Sequence, residues 1–120
     1  LYAEWADQRW AAIDPAGAIY LVDRWRVTAF DSIEGLSGKP RWVFDSELGG
    51  FTSNPVLTAD GALILGAGDG IYCLDVTNRH VMWTLDDVDG TEYLALAPDS
   101  TLYGYQRLSG VLALRDSNED

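Results

Sequence analysis

Side chains able to do chemistry are few in this chain, and they are scattered. His80 is the single histidine and Cys73 the single cysteine. With no second His or Cys at a ligand spacing, His80 makes no zinc pair, and no serine stands beside it as a nucleophile, so it is expected as an exposed turn residue. Cys73 has no internal disulfide partner, and its place in an apolar strand predicts a buried, inert thiol. The segment Asp87-Val88-Asp89-Gly90-Thr91-Glu92 sets carboxylates at alternating positions around a glycine, which is the oxygen chemistry of a calcium loop. It lacks the third ligand and the distal Glu of an EF-hand, so a turn is expected and no metal is assigned. Gly66-Ala67-Gly68-Asp69-Gly70 is rich enough in glycine to wrap a phosphate. It leads into a strand, not a helix N-terminus, and therefore reads as a hairpin. No catalytic residue is assigned; the chain is expected to be no enzyme and to carry no cofactor.

Composition narrows the partners. The 120 residues are 48% hydrophobic with 12 Gly and 4 Pro, the balance of a globular chain. Nineteen acidic against eight basic residues give a formal charge of −11, which opposes nucleic-acid backbones and anionic lipid. The acids fall in turns, at Asp60, Asp69, Asp86, Asp87, Asp89 and Asp99, where a carboxylate caps backbone N–H groups and keeps the surface soluble. No apolar run approaches the roughly 20 residues of a membrane-crossing helix, so no transmembrane segment is expected. Leu1 is not a natural start, so the chain is expected to begin inside a longer gene product or after processing. Seven Arg against one Lys point to a GC-rich bacterial coding sequence.

Three stretches position these residues, and they repeat. Asp14-Pro15-Ala16-Gly17-Ala18-Ile19-Tyr20-Leu21, Thr58-Ala59-Asp60-Gly61-Ala62-Leu63-Ile64-Leu65 and Ala97-Pro98-Asp99-Ser100-Thr101-Leu102-Tyr103-Gly104 each run from a polar turn into a strand. A second strand follows each: Val27 to Asp31, Ile71 to Asp75 and Val111 to Arg115. The offsets are 44 residues from Gly17 to Gly61 and 40 from Ile71 to Val111, the spacing of propeller blades or another repeat array. Alternating apolar strands between Gly, Asp, Asn and Ser, with no sustained helical spacing, predict an all-β fold. In the middle unit, strands are expected over 54–58, 62–66, 71–76 and 81–85, joined by hairpins into one up-and-down sheet.

The fourth strand carries the most specific signal. Ala29-Phe30-Asp31 followed by Ser37-Gly38-Lys39-Pro40-Arg41-Trp42 resembles the tryptophan-docking pattern A-x-D-x-x-T-G-K-x-x-W of the PQQ-like (quinoprotein-type) β-propeller repeat family, with a three-residue insertion in the turn. Cys73-Leu74-Asp75-Val76-Thr77-Asn78-Arg79-His80-Val81-Met82-Trp83 keeps that spacing and departs at Cys73, Asn78, Arg79 and His80. The resemblance covers roughly residues 11 to 116. It implies β-propeller blades of four-stranded antiparallel sheets, about three of them, as a partial ring or one completed by oligomerisation. It also implies that Trp42 and Trp83, with Asp31 and Asp75 in the same motif, are structural docking residues that fasten one blade to the next. An indole suits that task because it buries a broad flat surface and still donates one N–H.

One repeat region, 1–120, is expected, with blades about 10–45, 53–86 and 92–120. The third lacks its outer strand, which Trp5 and the rest of 1–7 are expected to supply. Three blades are fewer than the four to eight of a usual ring, so remaining blades of a longer parent chain, or a homo-oligomer, are expected to cover the end sheets. At the channel entrance, where inner strands begin, Trp10, Asn54 and Tyr93 are the candidate ligand-binding residues. The resemblance favours a non-catalytic interaction or scaffold module, or an extracytoplasmic sensor, that binds a protein partner in the periplasm or outside the cell. The alternatives are a fragment of a quinone-dependent dehydrogenase and a carbohydrate-binding propeller. Against the dehydrogenase, the family's adjacent cysteine pair is impossible with Cys73 alone.

Overall fold

The computed structural model describes residues 8–86, 88, 90–106 and 109–115. Eleven strands in three antiparallel sheets account for most of them. The first sheet comprises β1 (Gln8–Ile13), β2 (Ile19–Asp23), β3 (Arg26–Phe30) and β4 (Trp42–Asp45). The second comprises β5 (Val56–Leu57), β6 (Ala62–Ala67), β7 (Gly70–Asp75) and β8 (His80–Leu85), and the third β9 (Thr91–Leu96), β10 (Leu102–Gln106) and β11 (Gly110–Leu114). Strand order follows chain order in each, as hairpins require. The insertion between β3 and β4 winds into a single 3-10 turn, Ile33–Ser37, alongside β3. The expected Trp5 strand at 1–7 and the end of the third blade at 116–120 lie outside the described residues, as do Asp87 and Asp89 of the carboxylate turn.

Each repeated turn works by the same local physics. Asp14 Oδ1 accepts the N–H groups of Ala16 and Ala18 at 3.0 and 2.9 Å; the Ala62 N–H donates to Thr58 Oγ1 at 3.0 Å; the Thr101 N–H donates to Asp99 Oδ1 at 3.0 Å. A side-chain oxygen thus closes the turn and hands its backbone to the strand. The aligned position is left-handed in all three, with φ +97° at Gly17, +91° at Gly61 and +70° at Ser100. Glycine takes that conformation freely, whereas Ser100 holds it against its own Cβ.

The second sheet is the heart of the molecule because both of its faces are covered. Side chains alternate across a pleated strand. Leu63, Leu65, Tyr72 and Leu74 therefore pack with Tyr20, Val22, Val27 and Ala29 of the first sheet, while Ala62, Ile64, Ile71 and Cys73 pack with Leu94 and Leu102 of the third. Being buried on both sides, β6 reads Ala-Leu-Ile-Leu-Gly-Ala with no polar alternation. At Gly66 a Cβ would meet Ser53 Oγ of the segment before β5 at 2.9 Å and the Thr91 Cβ of the third sheet at 3.0 Å. Only a residue without a side chain permits that approach.

Candidate interaction surface

Polar side chains tie the sheets together at their junctions. Between the first and second, the Trp42 indole donates from Nε1 to the Val76 carbonyl at 2.8 Å while its ring lies 6.0 Å from that of Tyr20. Trp42 reaches this place because β4 pairs it with Ala29, whose small side chain leaves room above the strand. Arg79 crosses the same junction, donating to the Val43 carbonyl at 3.0 Å. Asp31 accepts from Arg41 Nε at 2.7 Å, and Asp75 accepts the Thr77 N–H at 2.9 Å, so both carboxylates act within their own turns.

Between the second and third sheets, Asn54 makes a paired contact. Its Nδ2 donates to the Leu94 carbonyl and its Oδ1 accepts the Leu94 N–H, both at 3.0 Å. Thr52 adds a hydrogen bond to the Thr91 carbonyl at 2.6 Å. Trp83 stands on β8 opposite Cys73 and remains 42% exposed. It borders a cleft of about 960 Å³ together with Ile64, Leu96, Leu102, Leu114 and Arg115. By the 40-residue repeat, the position matching Val76 is 116, which lies outside the described residues.

The three candidate ligand-binding residues therefore occupy three different settings. Trp10 is half-buried against the core of the first junction. Asn54 has both polar ends of its amide engaged with Leu94. Tyr93 alone is open, at 65% exposure, and its neighbours on that face are not among the expected binding residues. It lies across β10 from Tyr105, ring centroids 6.2 Å apart, and the same outer face carries Tyr103 and Val111. Tyr103 sits between Ala95 and Ala113 in one cross-strand row, and Tyr105 between Tyr93 and Val111 in the next. Four large side chains thus project from one sheet face with nothing across from them among the described residues. The signal for this patch was the alternation Leu102-Tyr103-Gly104-Tyr105.

Electrostatics within the molecule are structural in pattern. Burial, and then the hydrogen bond to Asp14, push the Tyr20 hydroxyl up to about 12. Partial burial pushes Asp14 upward, but hydrogen bonds from Tyr20 and the Ala18 and Ala16 N–H groups outweigh it and hold the carboxyl below its ordinary range. Burial raises the Cys73 thiol to about 11. Among the described residues no group of three or more His, Cys, Asp or Glu side chains is placed to hold a metal. No helix among them is long and apolar enough to cross a membrane.

No protein-family model matches the chain, and no curated protein does. Solved structures do. A europium-containing methanol dehydrogenase superposes at a TM-score of 0.60 with 20% identity over 78% of this chain and 23% of its own. Kuenenia stuttgartiensis hydrazine synthase superposes at 0.67 with 14% identity over 87% of this chain and 30% of its own. Both are propeller proteins, and the fold is accordingly all-β, with antiparallel sheets arranged as propeller blades. This chain spans less than a third of either neighbour.

Proposed function

We propose that the chain is a non-catalytic β-propeller interaction module that binds a protein partner through the outer face of its third sheet. The observation that carries the reading is the exposed row of Tyr93, Tyr103, Tyr105 and Val111 on a chain of net charge −11. Aromatic side chains offer large contact area at small entropic cost, and contiguous apolar exposure of this kind marks interaction surfaces. Polar groups at the sheet junctions are already engaged within the fold: Asn54 with Leu94, and Trp42 with Val76.

The fold shared with a methanol dehydrogenase favours a second reading, a fragment of a quinone-dependent dehydrogenase. Titrating the protein with the quinone and calcium, followed by absorbance and melting temperature, separates the two. A flat response is expected. A saturable absorbance change with a rise in melting temperature would overturn the non-catalytic reading.

A further inference from the structure

Two hairpin turns and the loop between the first two sheets are tied into one platform. In the turn from β2 to β3, Asp23 Oδ1 accepts the N–H groups of Trp25 and Arg26 at 2.8 and 2.7 Å. The carbonyls of that turn are engaged as well: the Phe51 N–H donates to Arg24 at 2.6 Å and the Ser46 N–H to Trp25 at 2.8 Å. The same loop holds the turn from β6 to β7, since the Gly68 N–H donates to the Gly50 carbonyl at 2.9 Å and the Asp69 N–H to the Leu48 carbonyl at 2.7 Å. The Glu47 N–H donates to the hydroxyl of buried Tyr72. Side chains presented on a backbone fixed in this way are ordered before a partner arrives, which lowers the entropic cost of binding.

The platform presents Trp25, 53% exposed, with the Arg24 guanidinium 5.3 Å from its ring centroid. The repeat shows that the turn itself needs no indole. By the 44-residue offset, Arg24 and Trp25 match Gly68 and Asp69, and the pair Val22 and Val27 matches Gly66 and Ile71, so the same hairpin closes there without either side chain. Around Trp25 the carboxylates of Asp23, Asp45, Glu47 and Asp69 outnumber the guanidiniums of Arg24 and Arg26. Arg26 is taken by Asp45 at 2.6 Å. Glu47 and Asp69 are exposed and form no ion pair among the described residues. Asp69 Oδ2 stands 3.4 Å from where a Cβ on Gly49 would lie, over the loop that carries Glu47.

We infer that this platform is a docking surface for a basic segment of a partner protein, seating a Lys or Arg whose stem lies on Trp25 and whose charged head meets Glu47 and Asp69. A long cationic side chain fits both features, because its methylenes cover apolar surface while its charge stays at the carboxylates. Tryptophan is among the residue types on which interface energy concentrates. The net charge of −11 draws a cationic partner toward the surface. The platform shares no residue with the outer face of the third sheet, so the two surfaces are tested separately.

The test is selection from a displayed library of random short peptides, with the intact chain as bait at physiological salt. Recovered peptides are expected to be enriched in Lys and Arg. Their affinity, read by fluorescence anisotropy of labelled synthetic copies, should fall about tenfold in Trp25→Ala and about threefold in Glu47→Gln and in Asp69→Asn. Glu34→Gln removes the same charge in the 3-10 turn at the other end of β3 and is expected to leave affinity unchanged. Circular dichroism checks that each variant is folded; if Trp25→Ala is not, the contrast between Glu47→Gln and Glu34→Gln decides. No recovered peptide, recovered peptides without an excess of cations, equal weakening by Glu34→Gln, or an affinity indifferent to a folded Trp25→Ala overturns the inference.

Discussion

Asn54 and Leu94 are joined as two strands would be: the side-chain amide of one pairs both polar backbone groups of the other, at 3.0 Å each. A single residue in the linker after the first blade thereby extends the pairing pattern of β9 into the second blade. Leu94 is only 6% exposed, so water does not compensate its N–H and carbonyl if the amide is removed. Asn54→Ala is expected to destabilise by about 1–3 kcal/mol, read as a lowered urea midpoint. Asn54→Asp should also destabilise, since a carboxylate would face the Leu94 carbonyl. An unchanged midpoint in both variants would show that the pairing contributes nothing.

Trp42 and Trp83 occupy matching motif positions yet differ in surroundings. Trp42 lies half-buried with its N–H engaged, while Trp83 is 42% exposed beside a cleft. Trp42→Ala is expected to lose about 2–4 kcal/mol, toward the lower range for large aromatics, and Trp83→Ala less. Equal losses in thermal denaturation would contradict this ranking.

Ser100 holds φ +70° where its two counterparts are glycines. Ser100→Gly should relieve the Cβ clash and stabilise by about 0.5–1 kcal/mol, whereas Gly61→Ala should destabilise by about 1 kcal/mol. A Ser100→Gly protein that melts lower than wild type would refute the strain.

The Tyr20 hydroxyl, raised from 10.0 to about 12, sets an alkaline limit on stability. Its folded value lies above the ordinary one, so its contribution is full below pH 10 and is lost as the pH rises toward 12. Tyr20→Phe should show a shallower fall in melting temperature across that window. An identical slope in both proteins would remove Tyr20 from the account.

Cys73 is 3% exposed and its thiol is raised to about 11. At neutral pH it should react with a thiol-specific disulfide reagent only after unfolding, at least tenfold slower native than in urea. Fast labelling of the folded protein would place the thiol at the surface.

Much of the fold was legible because its causes are local. The turn carboxylate or hydroxyl, the left-handed residue after it and the alternation that follows are each written within eight residues, and β6, β7 and β8 fall within a residue of the expected 62–66, 71–76 and 81–85. The first strand of that unit is shorter than expected, two residues at Val56–Leu57, because Pro55 has no N–H to give and the Gly66 N–H and carbonyl are taken by Ser53 Oγ and the Thr52 N–H.

The candidate site was less legible, since its character depends on what stands across from each face. Trp10, Asn54 and Tyr93 share a register position, and the sequence alone grouped them for that reason. Tertiary packing gave the first to one junction, the second to another and left the third open. Repeat period, turn chemistry and strand alternation belong to the chain itself, because they arise from contacts between near neighbours. Which alternating set is core and which is surface was decided only in three dimensions: the same Tyr position is buried at Tyr20, where another sheet covers it, and exposed at Tyr103, where none of the described residues does.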